Sequence, residues 1–126
     1  MKHLPIVLAV AVLAAPASAQ QPTPMSLEQQ LLLRCSAAFA IVASEQARGA
    51  PSVSTYPPLG ERGREFFVRS SERLMDELQL TREDLAARMR AEVEWLQRNA
   101  SEAEDASAYV DSVMRPCLAY LEATGL

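Results

Sequence analysis

Apolar residues recur at three- and four-residue spacing along most of this chain, and that spacing predicts α-helices. The first run starts at Ser26 and Gln29, a Ser-x-x-Gln capping box that satisfies two free backbone donors at a helix start. Gly49, followed by Pro51, stops the run, so helix one is predicted from about 27 to 48. Its apolar face consists of Leu27, Leu31, Leu32, Cys35, Ala38, Phe39 and Val42.

The same spacing predicts helix two over about 60 to 79. Thr81 is a favourable N-cap for helix three, and Asp84 stands three residues later, near the positive end of the helix dipole. Because this connection is only a few residues long, helices two and three are expected to be antiparallel neighbours.

The end of helix three and the course of helix four are less sharply marked. Asn99 can adopt the left-handed conformation that ends a helix, and Ser101 with Glu104 forms a second capping box, which would start helix four. A single helix from 82 to 114 is the alternative. Pro116 removes a backbone donor and disfavours helix at the residue before it, so helix four is expected to kink or restart there. The predicted fold is all-α: a small four-helix up-down bundle with a kinked last helix.

The longest predicted connection is the segment 49–60, which has three prolines and two glycines. Such a composition indicates a surface loop. Long loops often carry binding features. The competing interpretation is that Tyr56, Pro57 and Pro58 pack across one end of the bundle.

The start of the chain has the three-part layout of a secretory signal peptide. Lys2 precedes an apolar run from Leu4 to Ala15, and the small residues Ala17, Ser18 and Ala19 follow. The run is shorter than the roughly 20 residues that span a bilayer, so no stable membrane insertion is expected after cleavage. The predicted organisation is a signal peptide at 1–19, cleaved after Ala19, a flexible lead at 20–25 and a single helical domain at 26–126. This signal peptide predicts a periplasmic or secreted protein.

Cleavage would remove the only lysine and the only histidine, Lys2 and His3. The remaining chain has eleven arginines and sixteen acidic residues, a net charge of −5. A mildly acidic chain without a basic block is a poor candidate for nucleic-acid binding, where neutralising phosphates supplies most of the affinity. Without histidine and lysine, Ser-His-Asp, Cys-His and Schiff-base catalysis are excluded. No cofactor is expected.

The chain has two cysteines, Cys35 and Cys117, which could form a reactive thiol site, a metal site or a disulfide. A redox site normally has nearby cysteines, and zinc needs about four ligands, so the first two alternatives are weak. In an oxidising compartment two cysteines of a small domain usually pair. Cys35 lies nine residues past Ser26, and Cys117 about six before Ala123. At about 1.5 Å per residue these depths are roughly 13 and 9 Å, which predicts a disulfide between helices one and four.

Acidic residues close in sequence are the remaining candidates for general acid and base catalysis. They are Glu92 with Glu94 and Glu102 with Asp105, and all four lie on faces that pattern as solvent-exposed. An enzyme of this kind, an acid-base hydrolase, is therefore the least favoured of the functions considered.

Two surface features suggest binding. Arg62, Arg69 and Arg73 fall on one side of helix two and could present guanidinium groups to an acidic partner. The alternative is that these arginines are an ordinary solvent-exposed stripe, neutralised by Glu65, Asp76 and Glu77. A set of large apolar residues could line a groove for a helix or an unfolded client, although a place in the core is the simpler interpretation. This set is Phe66, Phe67, Met75, Met89, Trp95 and Met114.

The layout as a whole, an exported helical chain of about a hundred residues with one long-range disulfide, is similar to periplasmic acid-stress chaperones of the HdeA type and to some periplasmic immunity proteins. The likeness covers architecture only. For such a chaperone it implies that carboxylates sense pH, with activation below roughly pH 5. The favoured function is non-enzymatic binding of another protein in the bacterial envelope. A carrier of a small apolar ligand within the bundle is the alternative.

Overall fold

A computed structural model describes residues 24–125. The predicted signal peptide and the lead as far as residue 23 lie outside the described residues. Within them the chain forms four α-helices and no strand. The helices are α1 (Leu27–Ala47), α2 (Gly60–Leu78), α3 (Arg82–Glu102) and α4 (Ala106–Ala123), with a short 3-10 turn at Pro51–Val53 between α1 and α2.

Local capping signals account for the starts of α1 and α3. Ser26 Oγ accepts a hydrogen bond from the backbone N of Gln29 at 3.1 Å, and Gln29 Oε1 accepts from the backbone N of Ser26 at 2.9 Å. Thr81 and Asp84 make the same reciprocal pair of bonds. Gln79, with a φ of 53°, ends α2 in the left-handed conformation. Both predicted helix starts are thus confirmed.

The predicted boundary between helices three and four is wrong by a few residues. Asn99 and Ser101 lie inside α3, where their side chains donate to the backbone carbonyls of Trp95 and Arg98. Asp105 caps α4 instead, because its Oδ1 accepts from the backbone N of Ala108 at 3.0 Å. A break between the helices does exist, so the alternative of one helix from 82 to 114 is also wrong.

Pro116 lies inside α4, which continues across it as one helix. Of the two expectations for this position, the restart is wrong, and the kink stays a prediction. Proline has no N–H, so the carbonyl of Ser112 has no partner four residues on. The packing of α4 against the rest of the bundle outweighs this lost bond, since tertiary contacts supply most helical stability in proteins.

Contacts between the helices give the up-down order. Phe39 on α1 meets Phe66 on α2 edge to face, with ring centroids 5.2 Å apart. Near the start of α1, Glu28 accepts a hydrogen bond from Tyr120, which lies near the end of α4. Arg34, a turn and a half further along α1, pairs with Glu92 on α3. Thus α1 runs antiparallel to α2 and α4 and parallel to α3, and it contacts all three.

The core is centred on α1, whose buried face includes Phe39, Val42 and Ala38. Close approach of α2 depends on Gly63, because a Cβ there would lie 3.3 Å from Cβ of Phe39. Each of the other helices contributes large apolar side chains to the same cluster. Members of the cluster with almost no exposure include Leu59, Phe66, Leu74, Met114 and Leu121.

Cys35 and Cys117 form a disulfide between α1 and α4, as predicted. Their Cα atoms lie 5.2 Å apart, within the usual range for a bridge, and both residues are buried in the core. The bond joins positions 82 residues apart. It therefore links the first helix to the last at mid-height in the bundle.

Removing the bridge with Cys35→Ala and Cys117→Ala together should lower the free energy of unfolding by up to about 4.5 kcal/mol, because the unfolded chain loses a long closed loop. Such a loss is a large share of the total stability of a small domain, about 5 to 15 kcal/mol. Urea unfolding followed by circular dichroism measures the change. The oxidised and reduced forms of the wild-type protein are the matched control, and equal midpoints for the two would contradict the prediction.

Candidate functional site

The side chain of Gln46 holds the loop between α1 and α2 against the end of α1. Its Nε2 donates to the backbone carbonyl of Pro57 at 2.9 Å, and its Oε1 accepts from the backbone N of Leu59 at 3.0 Å. Val53 and Leu59 bury their side chains in the core cluster. The loop is therefore an ordered cover over one end of the bundle.

Tyr56 ties this loop to α4. Its hydroxyl donates to Oδ1 of Asp111 at 3.1 Å, and its ring packs on the core cluster. Burial, followed by the bond to Asp111, raises the pKa of the Tyr56 phenol. Of the two interpretations of this segment, the geometry of Tyr56 supports packing across the bundle end.

Beside the loop lies an open depression of about 680 Å³, which we call the groove. Its walls come from the loop, the last turns of α1 and α3 and the first turn of α4, represented by Thr55, Glu45, Ala100 and Ser107. Beside the groove, and sharing part of its lining, is a smaller apolar recess of about 80 Å³ between α1, α3 and α4. Residues that line both are Ile41, Val42, Gln97, Ala100 and Val110, and the recess continues to Ala38, Leu96, Val113 and Met114.

The charged residues that line the groove are all acidic. They are Glu45, Asp105 and Asp111, and no arginine is among the described lining residues. Glu45 pairs with Arg48, and Asp111 pairs with Arg115 at 2.9 Å. Asp105 is the N-cap of α4. The groove thus combines an apolar floor with an acidic rim.

Tyr109 lines the recess, and its hydroxyl is buried without a hydrogen-bond partner among the described groups. Burial raises the pKa of this phenol. An unpaired buried hydroxyl costs about 1 to 3 kcal/mol, so the hydroxyl of Tyr109 is expected to lower the stability of the fold.

The substitution Tyr109→Phe should therefore raise the free energy of unfolding by about 1 kcal/mol, because it removes an unpaired polar atom and keeps the ring. Tyr56→Phe is the matched control, and it should lower the same quantity by about 1 kcal/mol, because it breaks the bond to Asp111. Urea unfolding of the two variants measures both changes. A loss of stability in Tyr109→Phe as large as that in Tyr56→Phe would contradict the prediction.

The three arginines predicted to bind a partner lie along α2, and carboxylates accompany all of them. Arg62 pairs with Glu122 of α4 at 3.0 Å, and Arg69 pairs with Glu65 at 2.9 Å. Arg73 contacts two carboxylates, one on α1 and one on α2. Asp76 makes none of the ion pairs found among the described residues. The stripe is a set of ion pairs that join three helices.

The network around Arg73 is the densest of these. Arg73 Nη1 donates to Oε1 of Glu28 at 2.9 Å, and its Nε donates to Oε1 of Glu77 at 2.7 Å. Tyr120 also donates to Oε1 of Glu28, and Gln29 to Oε2 of Glu77. Hydrogen bonds from Arg73, the largest cause for each, lower the pKa of both carboxyl groups.

Acid should weaken this network. Because the folded-state pKa values of Glu28 and Glu77 lie below the ordinary 4.5, their contribution to stability is complete above about pH 4.5 and is lost as pH falls through the lowered values. In Arg73→Met the loss of stability between about pH 6 and pH 3 should be smaller than in the wild type. Urea midpoints at the two pH values measure it.

The control is Arg90→Met, which makes the same change in net charge on an exposed position of α3. It should retain the wild-type loss on acidification. Identical pH dependence of Arg73→Met and Arg90→Met would show that the network around Arg73 does not sense acid.

The candidate catalytic carboxylates do not form a site. Glu92 pairs with Arg34 at 2.8 Å, whereas Glu94 is exposed. Glu102 is exposed at the end of α3, and Asp105 is occupied as the cap of α4. The two pairs predicted from the sequence therefore supply no jointly buried acid and base.

The apolar set predicted from the sequence lies mainly in the core, with Phe66, Met89 and Met114 buried. Trp95 is the most exposed member, at 37%, and the guanidinium of Arg34 lies 4.5 Å from its ring centre. No member of this set lines the groove, and Met114 is the one member that lines the recess.

Three residues important to this end of the bundle were missed at the level of sequence: Gln46, Tyr109 and Asp111. Gln46 and Asp111 act through partners 10 or more positions away, and Tyr109 matters through the recess that it lines, so local spacing carries no signal of these roles. The apolar residues Val53 and Leu59 within the loop were local signs that the loop reaches the core.

The described residues contain no group of three or more histidine, cysteine or acidic side chains placed to hold a metal ion. From residue 24 to 125, none of the helices has the length and apolar character needed to cross a membrane. No protein family model matches the chain, and neither a curated protein nor a solved structure matches it.

Proposed function

We propose that this chain is an exported, non-enzymatic protein that binds another protein of the bacterial envelope. The groove at the loop end of the bundle carries the proposal, because it is open to the surface and shares its lining with an apolar recess. Protein interfaces are organised in this way, with an apolar centre and a polar rim. The Cys35–Cys117 bridge supports export, since disulfides persist mainly in oxidising compartments.

The small volume of the recess favours this function over the alternative, a carrier of a small apolar ligand within the bundle. The recess of about 80 Å³ is roughly half the size of the ~150 Å³ cavity that admits benzene. By that scale it has room for about three or four carbon atoms. Such a space suits one side chain of a partner better than a hydrocarbon tail.

Site-specific photo-crosslinking in the native envelope tests the proposal. A benzophenone amino acid placed at Ser107 or Thr55 lies in the groove, whereas one placed at Glu83 lies at the opposite end of the bundle. We expect the same envelope protein to be captured from both groove positions and not from Glu83. The cysteines of the chain recovered from this fraction should resist alkylation until they are reduced.

Capture of one protein equally from all three positions would contradict binding at the groove. Absence of any captured protein, together with a small apolar molecule retained in native mass spectrometry, would favour the carrier instead. Recovery of the chain in the cytoplasm with two free thiols would refute export.

A further inference from the structure

The groove and the recess together define what kind of protein segment fits. We infer that they bind a peptide segment whose single aliphatic side chain, of the size of valine or leucine, enters the recess while flanking basic residues face the acidic rim. This inference rests on the proposed function and names the chemistry of the partner.

The size and lining of the recess select the anchor. Its walls are aliphatic, from Ala38 and Val42 on α1, Leu96 on α3 and Val113 on α4. A volume of about 80 Å³ admits about three or four carbon atoms and excludes an aromatic ring. Moving an aliphatic side chain from water into such a space strengthens binding by at least about tenfold.

The charges that line the groove favour basic residues on either side of the anchor of the peptide. Glu45 at the end of α1, Asp105 at the start of α4 and Asp111 one and a half turns later line the groove. Arg48 and Arg115, which pair with Glu45 and Asp111, are not among the described lining residues. Among the residues that the structure describes, no arginine lines the groove. Arginine or lysine on either side of the anchor would therefore meet complementary charge, whereas acidic flanks would be repelled.

Synthetic peptides test this without an identified partner. The probe is acetyl-Gly-Arg-Ser-Leu-Ser-Arg-Gly-amide, titrated into the full chain and followed by NMR shifts of Val110 and Met114. We expect a dissociation constant on the order of 1 mM, typical of a single-anchor peptide. Replacing the central leucine with alanine should weaken binding at least about tenfold, and so should replacing it with tryptophan.

Variants of the protein provide the second arm. Ala100→Leu places extra methyl groups at the junction of groove and recess and should abolish the peptide shifts. Ala91→Leu, at an exposed position of the same helix, is the matched control and should bind as the wild type does. If Ala100→Leu fails to fold, the peptide series decides, because it leaves the protein unchanged.

The rim is tested by neutralising two carboxylates without disturbing the cap of α4. Glu45→Gln with Asp111→Asn keeps an acceptor for Tyr56 and should weaken the arginine-flanked peptide several-fold. Glu72→Gln with Asp76→Asn, at the opposite end of the bundle, makes the same change in net charge and should have no effect. Glutamate in place of the arginines of the peptide should abolish binding to the wild type.

Equal binding of the leucine and alanine peptides, or full binding by Ala100→Leu, would overturn the inference. So would shifts of Val110 and Met114 that appear on raising the protein concentration alone, because the groove would then hold a second copy of the chain. If no peptide binds while Ser107 still captures an envelope protein, the inference falls and the proposed function stands. If neither occurs, both fall.

Discussion

The disulfide between Cys35 and Cys117 fixes the first helix of the bundle against the last. It ties the first helix to the last at mid-height, so that α2 and α3 pack around a pair that cannot separate. Ala38 lies three residues after Cys35, and Met114 lies three residues before Cys117, so two walls of the recess stand one helical turn from the bond.

The two ends of the bundle have different connections, and this difference creates the groove. At one end, the turn between α2 and α3 is tight, with Gln79 and Thr81 fixing both helix termini. At the other end, the long loop after α1 leans on the core through Val53 and Leu59 and is tied to α4 through Tyr56. The loop held in this position forms one wall of the groove, beside three helix ends.

The sequence predicts those parts of the fold that depend on neighbouring residues. Ser26 and Thr81 start helices, and the partners of their reciprocal hydrogen bonds lie only three positions away. Ser101 has the same local pattern, yet α3 continues past it, and Asp105 becomes the cap. Two capping signals thus lie four residues apart, and spacing alone does not say which of them is used.

The candidate site was harder to predict than the fold because it belongs to no single element. Its floor is assembled from Val42, Leu96 and Val110, one from each of three helices, and in sequence each is an ordinary core residue. The disulfide was predictable because two cysteines leave only one pairing and helix lengths place them at similar depths. No comparable restriction applies to a depression, which arises wherever side chains fail to fill the space between helix ends.

A comparison of interaction free energies also favours the groove over the arginines of α2 as the proposed binding site. Each of Arg62, Arg69 and Arg73 already has a carboxylate partner, so an acidic protein would have to exchange one surface ion pair for another. Exposed pairs contribute only about 0 to 1 kcal/mol, and the exchange leaves little net gain. Burying one aliphatic side chain contributes about 1.5 to 3 kcal/mol and breaks no existing bond. By this comparison, burying one aliphatic side chain in the recess offers more than exchanging a surface ion pair at any of the three arginines.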